Sequence, residues 1–351
     1  MTWDVALILS IDGLANGAVY LLAGLGLVLI FSVTRVVFVP FGDVAAFAAL
    51  SLAAFETGVM PPTVGLVLTL AVLAVLTEAG GLLQRREYHK LPRAILGWGV
   101  LPVVPCALAW AVAGRAVPPA VQIAVSIALV VPITPLIARI ALQPIADASV
   151  LVLLIASLAL HFLLSGLGLL FFGPEGSRTS PLSAGSVALG DGFAVSAQVI
   201  LMIASAIVLS GLFFLMFERT VVGKALRATS VNRVGARLVG IRPARTALFA
   251  YLCASLLAGL IGVLIAPVTT MYYDSGFLIG LKAFVAAIIG GLVSYPLTAI
   301  GALAVGLVES FASFWSGALK DVIVFSLLIP VLLLRSLLAA HVEDEGEEID
   351  Q

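Results

Sequence analysis

The chain has 351 residues, 62% of them hydrophobic and 11% charged, with a mean hydropathy of +1.21 and a formal net charge of −1. A water-soluble domain is about half apolar and about a quarter charged, so this composition excludes one. Several unbroken apolar runs reach the ~20 residues that a helix needs to cross a bilayer. They do not alternate as barrel strands do, so the expectation is an all-α polytopic transmembrane helical bundle of about ten spans, including short broken helices, with no soluble domain.

The start, Met1-Thr2-Trp3-Asp4, carries no basic segment, so the first apolar run reads as a retained helix rather than a cleaved signal peptide. That helix runs from about Val5 to Val33. Gly13 and Gly17 form a G-x-x-x-G pair that permits close helix packing, and Asp12 and Asn16 lie four apart on one face. Pro40 breaks the chain before a short apolar piece, Val44 to Ala54, too short to span and expected as a broken or re-entrant helix buried by its neighbours.

A third span, Pro62 to Leu83, leads to a segment in which Arg85, Arg86, Lys90 and Arg93 outnumber Glu87, as on a cytoplasmic face. Two spans follow, Ala94 to Ala113 and Pro119 to Ile140, turning at Gly114–Pro118 and kinked by Pro102, Pro105, Pro132 and Pro135. Ser149 to Phe172 is the next span. The polar loop Gly173–Gly192, with Glu175, Arg178 and Asp191, has no basic excess and is expected on the outer face.

After a span from Val195 to Phe217 comes the most basic stretch of the chain. Arg219 to Arg245 holds seven of the 18 basic residues and no acid. It divides at Thr229–Val231 into two short amphipathic helices. Asn232 is placed to cap the second, and Gly240 followed by Pro243 reads as a stop. A span from Thr246 to Thr270 follows, with Tyr272 and Tyr273 as interfacial anchors. The glycine-rich stretch Phe277–Trp315 is interrupted at Ser294-Tyr295-Pro296 and reads as two shorter helices. The last span covers Val322 to Leu338, before an acidic tail, 339–351, read as a solvated end. Counting spans back from the basic segments puts the N-terminus outside if the short second piece crosses the membrane. Cys106 and Cys253 have no partner at metal or redox spacing and read as small core residues.

Gly223-Lys224-Ala225-Leu226-Arg227-Ala228, then Asn232, Ala236, Gly240 and Ile241, resembles the coupling motif of ABC-transporter permeases of the branched-chain amino acid type. The resemblance continues at Asn16-Gly17-Ala18-Val19-Tyr20, at Phe172-Gly173-Pro174, at Gly280-Leu281-Lys282-Ala283-Phe284 and through Gly290-Gly291, Pro296, Gly301, Gly306, Glu309 and Lys320-Asp321. It covers about 1–84 and 140–338, making 1–338 a permease domain in which 94–140 is an inserted helix pair and 219–245 a coupling loop.

The resemblance implies an inner-membrane permease of a bacterial or archaeal cell, without enzymatic activity or a bound cofactor. Its implied partners are a second permease subunit, two cytoplasmic ATP-binding subunits that carry ATP and magnesium, a periplasmic or extracellular solute-binding protein, and the lipid bilayer. In that scheme Gly223, Lys224, Arg227, Ala228, Asn232, Ala236, Gly240 and Ile241 couple to the ATPase. The chain has no G-x-x-x-x-G-K-[ST] of its own. It departs from the family where the usual N-F-A-H-G is replaced by Phe38-Val39-Pro40-Phe41-Gly42, and where Arg335–Leu338 and the acidic tail replace the usual ending.

Ionisable groups inside spans are costly and mark transport sites by default. Lys282 and Glu309 are the leading candidates for the translocation pathway, with Asp12, Asn16, Gly290 and Gly291 beside them; Glu78 is expected to reach Arg85 or the interface, and His161 a neighbouring helix. Nothing points to a catalytic group, a metal site or nucleic acid. The expected function is import of a small polar solute, such as a branched-chain or related amino acid, by alternating access. The competing reading is a secondary transporter or channel driven by an ion gradient, with Lys282, Glu309 and Glu78 as its coupling groups.

Overall fold

The structure, a computed structural model, describes residues 3–84, 86–188 and 194–333. Arg85, Asp191, the end of the expected last span (334–338) and the acidic tail 339–351 lie outside the described residues.

The chain forms a helical bundle with eight helices long and apolar enough to cross a membrane. In order these are α1 (Trp3–Thr34), the shorter α2 (Phe41–Glu56), α3 (Thr63–Gln84), α4 (Tyr88–Val112), α5 (Pro119–Ile145), α6 (Val150–Phe172) and α7 (Ala197–Arg219). Two surface helices follow, α8 (Val221–Val231) and α9 (Arg233–Leu238), then α10 (Pro243–Ile265), α11 (Ser275–Ile289), α12 (Tyr295–Trp315) and α13 (Lys320–Ser326). A two-stranded antiparallel hairpin pairs Ser186–Ala188 with Ala194–Ser196 between α6 and α7, a detail the all-helical expectation omits.

Small residues set the packing. Gly13 and Gly17 of α1 face Gly306 of α12 so closely that a Cβ on any of the three would meet the opposite backbone. Without a hydrophobic force to separate helices from lipid, such van der Waals contact between backbones is what holds spans together. α2 is the innermost helix: all its residues except Ala54 and Glu56 are buried. Its alanines let α10 approach, where a Cβ on Gly262 would strike the Ala45 carbonyl. The outer helices α3, α4, α6 and α7 instead expose long apolar faces, including Leu76, Trp110, Leu170 and Ile207, as surfaces in contact with lipid do.

Several boundaries differ from the sequence reading, each for a local reason. The basic segment after α3 is helical from Tyr88 onward, because a 3₁₀ turn at Tyr88–Lys90 runs directly into α4. Proline does disturb α4 and α5. A π-helical turn at Ile95–Val100 precedes Pro102, and α5 stops at Val130 before restarting at Ile133 past Pro132. Pro243 opens α10 instead of merely ending the basic loop, since its fixed φ suits a first helical turn. The break between α11 and α12 begins at Gly290 and not at Ser294. Gly291 and Leu292 take left-handed φ of 69° and 60°, and Ser294 then caps α12 by accepting from Leu297 N.

Candidate functional site

The two surface helices α8 and α9 form an elbow whose shape is set residue by residue. Thr220 starts α8: its hydroxyl accepts from Gly223 N at 3.0 Å and donates to Met216 O at 2.6 Å, joining the new helix to the end of α7. Gly223 is wedged there, because any side chain would collide with the Met216 carbonyl and the Phe217 backbone. One turn on, Leu226 is buried with Leu29, Val33, Phe217 and Ala250 in a small separate core. Thr246 of α10 donates to Thr229 at 3.2 Å.

The bend comes at Asn232, whose side chain accepts from Gly235 N at 2.9 Å and so caps α9. Ala236 is buried, and Gly240 ends the elbow at φ 85° while Ile241 N bonds back to Ala236 O. That pattern is the Schellman-type stop the sequence suggests.

Two of the seven cations bond back to the ends of spans. Arg233 donates to Val33 O at 2.7 Å, satisfying a carbonyl left open at the end of α1. Arg227 donates to Phe217 O at 3.1 Å and pairs with Glu218 at 2.8 Å. Lys224 and Arg237 point outward, and Ala228 is half-buried. Leu226 is buried, whereas Val221 is 82% exposed. Val231, Val234, Leu238 and Val239 are exposed with it, so the elbow presents an apolar surface edged with positive charge.

Within the membrane-crossing region, Lys282 and Glu309 come together. Lys282 Nζ lies 2.5 Å from Glu309 Oε1 and 2.8 Å from Asp321 Oδ1, and the Tyr20 hydroxyl donates to Glu309 Oε2 at 2.5 Å. Four helices, α1, α11, α12 and α13, each supply one residue. Tyr20 and Asp321 are not among the sequence-derived candidates, although both fall within the stretches that carry the family resemblance.

The other candidates do not converge on this cluster. Asp12 is exposed on α1 and makes no hydrogen bond or ion pair among the described residues, and Asn16 is half-buried one turn further on. Gly290 and Gly291 form the turn between α11 and α12, where a Cβ on Gly290 would collide with Thr298 and Ser294. Glu78 pairs with Arg139 of α5, not with Arg85 or the interface, and Arg139 also donates to Gln143 at 2.7 Å. α3 and α5 pack side by side, which brings the two charges within reach across 61 residues of sequence. His161 does bond a neighbouring helix: its Nδ1 lies 2.7 Å from Asp43 Oδ2. Asp43, the single ionisable residue between Arg35 and Glu56, is absent from the sequence-derived candidates, and its isolation in an alanine-rich run was the available signal. Among the described residues there is no cluster of metal-ligand type, and both cysteines are free.

The fold and its elbow define a polytopic, all-helical membrane protein with an ordered surface projection between two spans. The family described as branched-chain amino acid transport system / permease component matches residues 9–332. The high-affinity branched-chain amino acid transport system permease protein BraD of Pseudomonas aeruginosa is 30% identical over 206 residues, covering 57% of this chain and 67% of that protein. LivH of Escherichia coli K12, with the same description, is 31% identical over 208 residues, covering 56% and 66%. A probable branched-chain amino acid transport permease protein LivH of Methanocaldococcus jannaschii is 32% identical over 193 residues, covering 51% and 59%. The match to these relatives thus spans 59% to 67% of their length. No solved structure matches the chain. The chain belongs to the permease-component family of branched-chain amino acid transport systems, and it is a multi-pass membrane protein.

Proposed function

We propose that the chain is the membrane-spanning subunit of an ABC importer that carries a small polar solute, a branched-chain or related amino acid, by alternating access. The observation that carries this reading is the elbow. It is joined to three spans, α1, α7 and α10, through Arg233, Gly223 and Thr246, while Val231, Val234 and Leu238 stand out from the surface. A rigid projection joined to several spans converts a push from outside into helix movement. In this reading the elbow lies in the cytoplasm and docks an ATP-binding subunit. ATP and magnesium are held by two such subunits, a second permease completes the membrane unit, and a soluble binding protein delivers the solute.

The alternative, coupling to an ion gradient, relied on Lys282, Glu309 and Glu78. Each of these groups is engaged by a protein partner, which supports a holding role for them.

The test is capture of the ATP-binding subunit by the purified permease. Leu238→Glu, at a side chain 84% exposed, is expected to abolish capture while the permease stays folded. Undiminished capture would overturn the docking role. Uptake that survives ATP depletion and collapses with the proton or sodium gradient would overturn the importer reading.

A further inference from the structure

α2 does not begin at a membrane surface. His161 is the central residue of the 23-residue α6, with 11 residues on either side, or about 16 Å of helix each way at 1.5 Å per residue. Asp43, in the first turn of α2, pairs with that histidine, so α2 starts at mid-depth. It ends at Glu56, whose carboxylate accepts from Ser180 N and Oγ in the loop beyond α6. The lead-in from Arg35 to Val39 is non-helical, and Val36 and Phe38 within it are buried. At the same level a Cβ on Gly42 or on Gly276 would collide with the other's backbone, so α2 meets α11 through bare backbone. Discontinuous helices that start inside the membrane are where transporters place solute sites.

Asp43 is 0% exposed, and its second carboxylate oxygen, Oδ1, has no hydrogen-bond partner. Lys282, Glu309 and Tyr20 bond one another. Asp321 Oδ1, also without a hydrogen bond, lies 2.8 Å from the Lys282 ammonium, whereas Asp43 Oδ1 has no ion-pair partner among the described residues. Holding His161 requires a single acceptor, which an asparagine or serine would supply without bringing a carboxylate into a dry interior. The opposite side of the pair is also simple. The His161 ring stacks on Phe277 with centroids 4.5 Å apart. Among the described residues, two side-chain hydrogen bonds tie α6 to other helices and their connections: Val39 N to Ser157 Oγ at 2.8 Å, and His161 to Asp43. The rest of the buried stripe of α6, Leu153, Leu164 and Gly168, is apolar or bare. Tilting α6 outward therefore breaks few directional contacts and uncovers Asp43.

We propose that Asp43 receives the protonated amine of the solute at mid-membrane, and that His161 occupies the carboxylate while the site is empty. This assignment rests on the importer reading above and extends it to a named recognition group. Movement of α6 withdraws His161, the ammonium group takes its place on Asp43, and Phe277 borders the solute's apolar part. Solutes without a protonated amine lose the contact, which makes Asp43 a specificity-determining residue.

The experiment is ATP-driven uptake of radiolabelled leucine by the assembled complex in proteoliposomes, with isocaproate, the same molecule without its amine, as competitor. Asp43→Asn is expected to raise the KM for leucine by about tenfold or more, as loss of a charge-assisted hydrogen bond does. Capture of the ATP-binding subunit should be unchanged, which separates a solute defect from misfolding. Asp43→Glu is expected to recover part of the affinity. His161→Gln, which can still hydrogen-bond Asp43, is expected to keep leucine selectivity. A KM for Asp43→Asn within about twofold of the native value overturns the assignment, as does native uptake inhibited equally by isocaproate and leucine. Absence of ATP-driven uptake by the native complex overturns the importer reading itself, and this assignment with it.

Discussion

Lys282 of α11 and Glu309 of α12 form a buried ion pair, Nζ to Oε1 2.5 Å, with Asp321 Oδ1 2.8 Å from the same ammonium and the Tyr20 hydroxyl donating to Glu309 Oε2. Breaking a buried pair by removing one partner leaves the other charge uncompensated and costs about 3–5 kcal/mol, whereas replacing both with apolar groups of similar size is often near neutral. Lys282→Met strands Glu309 and Asp321 together and is expected to lower the thermal midpoint of the detergent-solubilised protein sharply. Lys282→Met with Glu309→Met is expected to recover much of that loss. A double variant as unstable as the single one would show that the pair does more than hold the helices.

The contact between α1 and α12 depends on backbone approach at Gly13, Gly17 and Gly306. Gly306→Val forces these helices apart at the most extensive helix–helix contact among the described residues. Overpacking of this kind costs about 1–3 kcal/mol or more. The expected outcome is a lower thermal midpoint and poorer yield, with a change at Gly65, where an added Cβ meets nothing, serving as the neutral control.

The cap at Asn232 gives the elbow its bend. Asn232→Ala removes the acceptor for Gly235 N and is expected to cost about 1 kcal/mol locally. Faster amide exchange over Arg233–Leu238, with little change in α10, is the expected signature. Asn232→Asp retains the acceptor and should behave like the native protein.

The elbow was legible in the sequence because its determinants are local. Asn232 can cap only the turn it precedes, and Gly240 ends a helix through its own φ of 85°. The G-x-x-x-G surface of α1 was legible for the same reason, since helical spacing alone puts Gly13 and Gly17 on one face. The ionic partners were not. Glu78 meets Arg139 across 61 residues and Asp43 meets His161 across 118, and nothing near either residue names its partner. Arg227 shows the limit within a readable motif. The motif names it without fixing its orientation, and its guanidinium turns back to the Phe217 carbonyl, an orientation set by where α7 ends. Thr220 was missed as the first cap because the apolar run before it appeared to end earlier, at Phe217.

The pairing of Glu78 with Arg139 links α3 to α5, most of which falls within residues 94–140. Both side chains are partly shielded, so the interaction exceeds that of an exposed pair without reaching the cost of a fully buried one. Arg139→Glu places two acids side by side and is expected to loosen α5 from α3, seen as a lower thermal midpoint and as protease access at the turn after Ile145. Glu78→Arg combined with Arg139→Glu restores opposite charges in reversed order and is expected to regain most of the stability. Gln143, which now accepts from Arg139 at 2.7 Å, loses that donor in the reversed pair, so the recovery should be incomplete. Equal damage from the single and the reversed variants would assign the join between α3 and α5 to apolar packing instead of to charge.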